Sequence, residues 1–271
     1  MNLKKTYKPQ NGYTKLCKIG ECSLKELEFG IIELSDKQEL KFDTGDMETA
    51  FIILGGQADF SFDDVEYKML GKRRTVFEGK AYALYVPRRK EVTIYSPWNV
   101  KIAVCQTPCG EDTEHAVVTP EDIGRTILGK PTWKRDTDFV ISDKTPSKRL
   151  YVGEAFVHPG NWAGFPPHKH DTDNMPAEGV AEEFYYYLFD PEQGFGMQRA
   201  YSKGEFDEAY VIENDTLVEF PKGYHTTVGA PGYNFYMLWA MAGDHKGFYR
   251  SNDPDHAWVS TVENLLNKNG I

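Results

Sequence analysis

The sequence predicts an all-β protein made of two sandwich- or jelly-roll-like halves with little helix. Short apolar runs rich in β-branched and aromatic residues recur at 51–54, 82–86, 92–95, 100–104, 184–189 and 235–239, bounded by Gly, Pro, Asn or Asp. That is the pattern of strands separated by turns. Helical signals are few and short. A strand–proline layout also occurs twice. Val86-Pro87 is followed by Pro97, ten positions after Pro87, and by the run 100–104. Phe220-Pro221 is followed by Pro231, again ten positions on, and by the run 235–239. In this register His225 lies over Glu91, and Glu48 echoes Glu183.

The layout divides the chain into a first half at 1–115, a connecting segment at 116–148 and a second half at 149–271. In the connection, Thr119-Pro120-Glu121-Asp122 offers a cap, a proline at the first helical position and acids in the first turn. It predicts a short helix to about Leu128. The polar stretch 130–148 reads as linker. Ser260 or Thr261 is expected to cap a final short helix through Val262, Leu265 and Leu266.

At 271 residues the chain can bury a substantial core. A net charge of −10 argues against non-specific binding to nucleic acid or an acidic membrane. It leaves room for a small anion in a locally basic pocket. No apolar run of ~20 residues predicts a membrane span, and Met1-Asn2-Leu3-Lys4-Lys5 opens no signal peptide, so a cytoplasmic location is expected. Cys17 and Cys22 are five positions apart and Cys105 and Cys109 four, unlike the tight pairs of a zinc ribbon. All four are expected to be reduced, packed thiols.

His168-Lys169-His170 is the densest chemical signal. Histidines at i and i+2 of a strand share a face, so both imidazoles can grip one ion. Gly164-Phe165-Pro166-Pro167 before them disfavours helix. Downstream, Glu183 and His225 complete a three-His, one-carboxylate set. Glu182 and Glu178 are rival carboxylates, Glu182 facing away if Glu183 faces in. Imidazole with carboxylate suits zinc first, since it needs no redox chemistry, and then manganese, iron, cobalt or nickel.

These residues resemble the cupin superfamily, whose first motif carries His-x-His and a downstream Glu and whose second carries Pro-x-Gly and a downstream His. Here they are Gly164, His168-Lys169-His170, Glu183 and Pro221-Lys222-Gly223-Tyr224-His225. The strings Pro166-Pro167-His168-Lys169-His170-Asp171, Glu182-Glu183-Phe184-Tyr185-Tyr186, Gly194-Phe195-Gly196-Met197-Gln198-Arg199 and Tyr236-Met237-Leu238-Trp239-Ala240-Met241-Ala242-Gly243 resemble the 5-deoxy-glucuronate isomerases of inositol catabolism. That family is similar to the 4-deoxy-5-keto-uronate isomerases, which are two-cupin metal enzymes. The resemblance implies a bicupin fold with a metal-free first half, structural or dimer-forming. Twelve residues separate His170 from Glu183, where many cupins have three or four; the insertion reads as a loop.

The chemistry implied is aldose–ketose isomerisation of a sugar acid. A metal would stabilise a developing enediolate, by proton transfer or hydride shift. The small anionic sugar-acid substrate needs a partner for its carboxylate, and Arg199 is the first candidate because a guanidinium fork fits a carboxylate. Lys222 follows; Lys169 is expected to face away. Arg88-Arg89-Lys90 reads as a solvated loop. Tyr185, Tyr187, Tyr201 and Tyr224 are candidates for hydroxyl contacts. Asp207 stands as a base only by default. A homo-oligomer is possible. The competing readings are a cupin dioxygenase and a non-catalytic sugar-acid-binding cupin.

Overall fold

The computed structural model describes residues 2–268. Its strands form four sheets, all with antiparallel neighbours, and its single α-helix among those residues is Trp258–Lys268. The all-β expectation holds, and the apolar runs named above lie on strands. No helix of the described residues is long and apolar enough to cross a membrane.

Each half pairs a large sheet with a small one. The first half's large sheet runs, in spatial order, Ala116–Val118, Ala83–Val86, Met47–Gly56, Val100–Pro108, Glu28–Leu34, Gly12–Cys17. The second half's runs Lys4–Thr6, Thr216–Phe220, Ala181–Asp190, Asn234–Gly243, Leu150–Val157, Arg135–Ile141, Arg125–Leu128, so the expected first half at 1–115 gives up its first strand, which pairs with Thr216–Phe220 instead. The central strands correspond one for one, so the repeat read from the prolines is a repeat of topology. The small sheets are Gln38–Asp43, Glu91–Ser96, Ala58–Phe62, Val65–Leu70 in the first half. In the second they are Phe206–Glu213, Phe195–Ser202, Tyr224–Gly229, Trp162–Lys169, Ser251–Asn252.

Alternation along the strands then builds three cores. Phe42, Phe51, Phe60, Val92 and Ile94 fill the first sandwich. Tyr185, Tyr187, Phe189, Phe235 and Trp239 belong to the second. Between them the large sheets pack face to face: Phe29 meets Phe184 and Tyr186 at ring separations of 4.7 and 5.2 Å.

Three local expectations change. The segment 116–148 is not a linker. Ala116–Val118 closes the first large sheet, while Arg125–Leu128 and Arg135–Ile141 close the second. The helix expected from Thr119 is a single turn. Thr119 N–H and Oγ1 both donate to Asp122 Oδ2, at 2.9 and 2.7 Å, and then Arg125–Leu128 pairs with Arg135–Ile141; sheet pairing of the β-branched Thr126-Ile127 overrides the cap. Cys17 and Cys22 form a disulfide rather than two thiols, because the turn in which Cys22 N–H donates to Lys18 carbonyl folds one back over the other. Cys105 and Cys109 are free and buried. The last helix is present, starting two residues before Ser260.

Candidate metal centre

The second sandwich holds a buried polar cluster. His168 and Lys169 end the strand Trp162–Lys169, and His170 follows. Alternation turns both imidazoles inward and Lys169 outward, where its ammonium meets Asp171, Thr172 and Glu178. Glu178 also accepts the backbone N–H groups of Asp171 and Thr172 at 2.9 Å, so it pins the loop and stays out of the cluster. Glu183 comes from the neighbouring large sheet, opposite Phe220 and Met241. His225 opens the strand Tyr224–Gly229 and pairs with His168. The turn before it needs Gly223: φ is +86° there, and a Cβ would lie 2.6 Å from Tyr201 carbonyl oxygen.

All four side chains are buried. Ligand atoms of His168, Glu183 and His225 lie within 4.8 Å of one another. His170 Nε2 and His225 Nε2 lie 2.9 and 3.0 Å from Glu183 Oε2. Each Nδ1 faces a backbone carbonyl: Pro166 at 3.4 Å, Ala181 at 2.6 Å and Gly223 at 3.4 Å. At His170 and His225 that arrangement favours a proton on Nδ1 and turns Nε2 inward, as metal ligation requires; His168 Nδ1 also lies 3.2 Å from an Arg250 nitrogen, which only donates, so the Pro166 carbonyl alone does not set its tautomer. Among the described residues His168 Nε2 is buried with no hydrogen-bond partner. An orphaned imidazole nitrogen aimed at a carboxylate and a second imidazole is what an absent cation would explain, so the donor set fits a divalent metal. Phe220 stacks on His225 at 4.4 Å and fixes its ring.

Electrostatics agree with this use. Burial, then Arg250, His225 and His170, drives His168 well below its ordinary pKa, so it stays neutral. Burial also lowers His225. Burial would lower His170, but hydrogen bonding to Glu183 more than offsets it and the net shift is upward. Burial would raise Glu183; its bonds to His170 and His225 reverse this and hold the carboxyl at about 2. Glu183 is therefore an anion at neutral pH.

The rival Glu182 lies on the other face of the strand. One of its oxygens accepts the N–H groups of Lys25 and Glu26, both at 2.7 Å, from the first half. Glu48 is its counterpart. Val86 pairs with Thr49 where Phe220 pairs with Glu183, so Thr49, not Glu48, occupies the Glu183 position. Glu48 accepts the N–H groups of Lys148, Arg149 and Leu150 at 2.7–2.8 Å.

Beside the cluster is a cavity of ≈ 30 Å³ lined by Arg135, Phe139, His168, Glu183, Tyr185, Trp239, Phe248 and Arg250, among others. Tyr185 belongs here, its hydroxyl 3.0 Å from His225 Nε2. Burial, then Glu183, holds that hydroxyl far above its ordinary pKa, so it acts as a donor. Tyr187 is one step deeper in the core and donates to Gln198 Oε1 at 2.6 Å. Tyr201 donates to Asp253 at 2.6 Å, with Tyr224 packed on its ring. Arg199 and Asp207 do not reach the cavity. Both are exposed on the outer face of the small sheet, joined by two hydrogen bonds of 2.9 and 2.7 Å. Asp207 is held below its ordinary pKa by its hydrogen bonding to Arg199, its first cause. Lys222 is exposed and paired with Glu205.

The cations at the cavity are instead Arg135 and Arg250. Arg135 fell in the stretch read as linker. Its signal is the alternation Arg135, Thr137, Phe139, which shares one face of a strand. Arg250 carries no comparable signal.

Over residues 3–259 the sequence matches the KduI/IolB family. The chain belongs to this family. Curated relatives agree with the match. A 5-deoxy-glucuronate isomerase of Geobacillus kaustophilus (strain HTA426) is 37% identical over 234 residues, covering 85% of this chain and 84% of the relative. One of Bacillus subtilis (strain 168) is 32% identical over 237 residues, covering 86% and 87%. Among solved structures, an IolB-like protein from Salmonella typhimurium LT2 superposes with a TM-score of 0.92 at 27% identity, covering 96% of this KduI/IolB chain and all of that one (100%). A Bacillus subtilis oxalate decarboxylase variant reaches a TM-score of 0.64 at 11% identity, covering 98% and 84%; it speaks for the fold alone, which is all-β and cupin-like.

Proposed function

We propose that this KduI/IolB member is a metal-dependent ketol-isomerase that converts 5-deoxy-D-glucuronate to 5-dehydro-2-deoxy-D-gluconate in inositol catabolism. The observation that carries the reading is the buried cluster of His168, Glu183 and His225, whose ligand atoms lie within 4.8 Å of one another, with His170 against the same carboxylate and His168 Nε2 orphaned, in a family whose matched relatives bear that name. His168, His170, Glu183 and His225 are the ligands, and zinc is the ion we assign. When bound, the ion supplies Lewis-acid stabilisation of the negative charge that develops as hydrogen moves between C1 and C2.

The chain's own residues do the rest. Ala181 and Gly223 carbonyls face Nδ1 of His170 and His225 and favour their Nδ1–H tautomer, and Pro166 carbonyl faces Nδ1 of His168. Glu183 reduces the positive charge of the centre and remains ionised. Tyr185 offers a fixed hydroxyl at the cavity wall. The aromatic wall of Phe139, Trp239 and Phe248 excludes water and so strengthens each electrostatic contact. No nicotinamide is needed, because substrate and product are redox-balanced.

The test is anaerobic NMR of the metal-loaded protein with 5-deoxy-glucuronate, before and after chelation. The expected result is the keto-acid, lost on chelation and restored by metal. No keto-acid from loaded protein would refute the reading. Oxygen consumption with a diketone would point to the dioxygenase class instead.

A further inference from the structure

We propose that Arg135 and Arg250 together form the carboxylate anchor of this site, which makes the enzyme selective for sugar acids over neutral sugars. The inference rests on the isomerase reading for its substrate but on separate residues for its evidence.

The chain has nine arginines. Seven pair with a carboxylate: Arg73, Arg74, Arg88, Arg89, Arg125, Arg149 and Arg199. Arg135 and Arg250 form no ion pair among the described residues, and these two line the cavity beside His168, Glu183 and Tyr185. Arg135 is only 5% exposed. Its hydrogen bond goes to Trp133 carbonyl oxygen at 3.3 Å, through one NH group, so most of its five donors are left for another partner.

Arg250 lies over the Phe248 ring at 4.6 Å, with a terminal nitrogen 3.2 Å from His168 Nδ1. A guanidinium only donates. When His168 carries its proton on Nδ1, facing Pro166 carbonyl, it offers Arg250 no lone pair there. Ligation through Nε2 requires that tautomer, so loading the centre leaves Arg250 without an acceptor.

Two buried cations that face one cavity with no carboxylate paired to either are costly unless a counter-charge arrives; Glu263 acts on both arginines only from beyond ion-pair distance, its carboxylate bonded to Gly129 N–H and Trp133 Nε1. Glu183 does not supply the counter-charge, being engaged by His170 and His225. A divalent ion at the centre would raise the local positive charge further. A carboxylate between the two guanidinium forks satisfies both, with charge-assisted and bidentate hydrogen bonds. The adjacent centre then receives the rest of the molecule, so the arginines set which end of the substrate reacts.

The experiment compares 5-deoxy-glucuronate with its uncharged primary amide in the metal-loaded wild type, Arg135→Gln, Arg250→Gln and the double variant. Metal content and thermal melting are measured alongside. The wild type is expected to prefer the acid, and each single variant to lose about 10- to 100-fold in kcat/KM for the acid, mostly through KM. The amide, which keeps a carbonyl acceptor but no charge, should lose much less than the acid, with metal content unchanged. Arg135→Lys and Arg250→Lys keep the charge but not the fork, and should recover part of the preference; they carry the test if a Gln variant fails to fold. An acid-over-amide preference that survives undiminished in the double Gln variant, or that stays at the full wild-type level in both Lys variants, overturns the proposal. If the wild type converts neither compound, the isomerase reading fails. Calorimetric binding of the same acid and amide then still decides the role of the arginines.

Discussion

The same β-architecture is filled in two ways. In the first half, the space between the sheets is packed with Phe42, Phe51, Phe60, Val92 and Ile94. The position of Glu183 is taken by Thr49, which accepts a hydrogen bond from Gln106 at 2.9 Å. In the second half the equivalent space holds the imidazoles of His168, His225 and, against Glu183, His170, with that carboxylate and two guanidinium groups. Yet the halves are alike where they meet. Glu48 binds backbone N–H groups at the start of Leu150–Val157, and Glu182 binds those just before Glu28–Leu34. The shared carboxylate is the structural one, and the chemistry was built on the residue next to it. Along a strand, one step in sequence turns a side chain to the opposite face, so Glu182 and Glu183 serve different ends of the molecule.

That contrast is sharpest at the proposed metal ligands. Glu183→Gln, or the double change His168→Ala with His225→Ala, should abolish stoichiometric metal and lower kcat/KM by at least about a hundredfold, beyond the usual effect of losing a supporting partner. Thr49→Ala at the equivalent position should leave metal content and kinetics unchanged. Elemental analysis with steady-state kinetics checks both. Full metal occupancy in the double variant would remove these residues as ligands.

A second break lies between the halves. Arg73 of the first half meets Glu154 of the second in a buried, two-pronged pair at 2.5 and 3.0 Å, and Tyr236 donates to the same carboxylate at 2.7 Å. Removing one partner strands the other charge. Arg73→Ala should therefore cost about 3–5 kcal/mol of stability, read by chemical denaturation, while kcat per metal-loaded chain stays at the wild-type level. Loss of metal without loss of stability would contradict the division of roles.

The two interface carboxylates provide a milder test. Glu182→Gln and Glu48→Gln exchange a charged acceptor of backbone N–H groups for a neutral one. Each should lower stability by about 1–2 kcal/mol without lowering metal content. If Glu182→Gln instead depletes the metal and Glu183→Gln does not, the two residues have been assigned to the wrong faces.

What the sequence revealed followed from locality. Strands, the His-x-His pair and the Pro-x-Gly turn are written in neighbouring residues, where a period of two or a fixed turn geometry makes them visible. Alternation narrowed the carboxylate to Glu182 or Glu183 with opposite faces, and which of them turns inward emerges only from the sheet packing that sets Glu182 on the N–H groups of Lys25 and Glu26. Arg135 and Arg250 were not legible. They lie on separate strands or loops more than a hundred positions apart, and each is recognisable only by the carboxylate it lacks. Arg199 misled for the complementary reason. A lone arginine reads as a free fork, and its partner Asp207 is revealed only by the hairpin that places Phe195–Ser202 beside Phe206–Glu213. The false helix at Thr119 arose the same way, since a local cap signal cannot register the strand that captures the next residues.

Arg199 gives the smallest expected effect and the cleanest separation of the two sides of one sheet. It alternates with Gln198, which is fully buried and accepts from Tyr187. Arg199 therefore points to solvent, across the ring of Tyr201 at 4.0 Å and onto Asp207. An exposed pair of this kind contributes about 0.2–1 kcal/mol, and it is weakened further by salt. Arg199→Ala should thus change stability by no more than that and leave KM for the sugar acid within about twofold of wild type, an energy difference under about 0.5 kcal/mol. A KM raised tenfold or more, with normal metal content, would mean that the substrate carboxylate reaches the outer face of this sheet, and the anchor would return to Arg199.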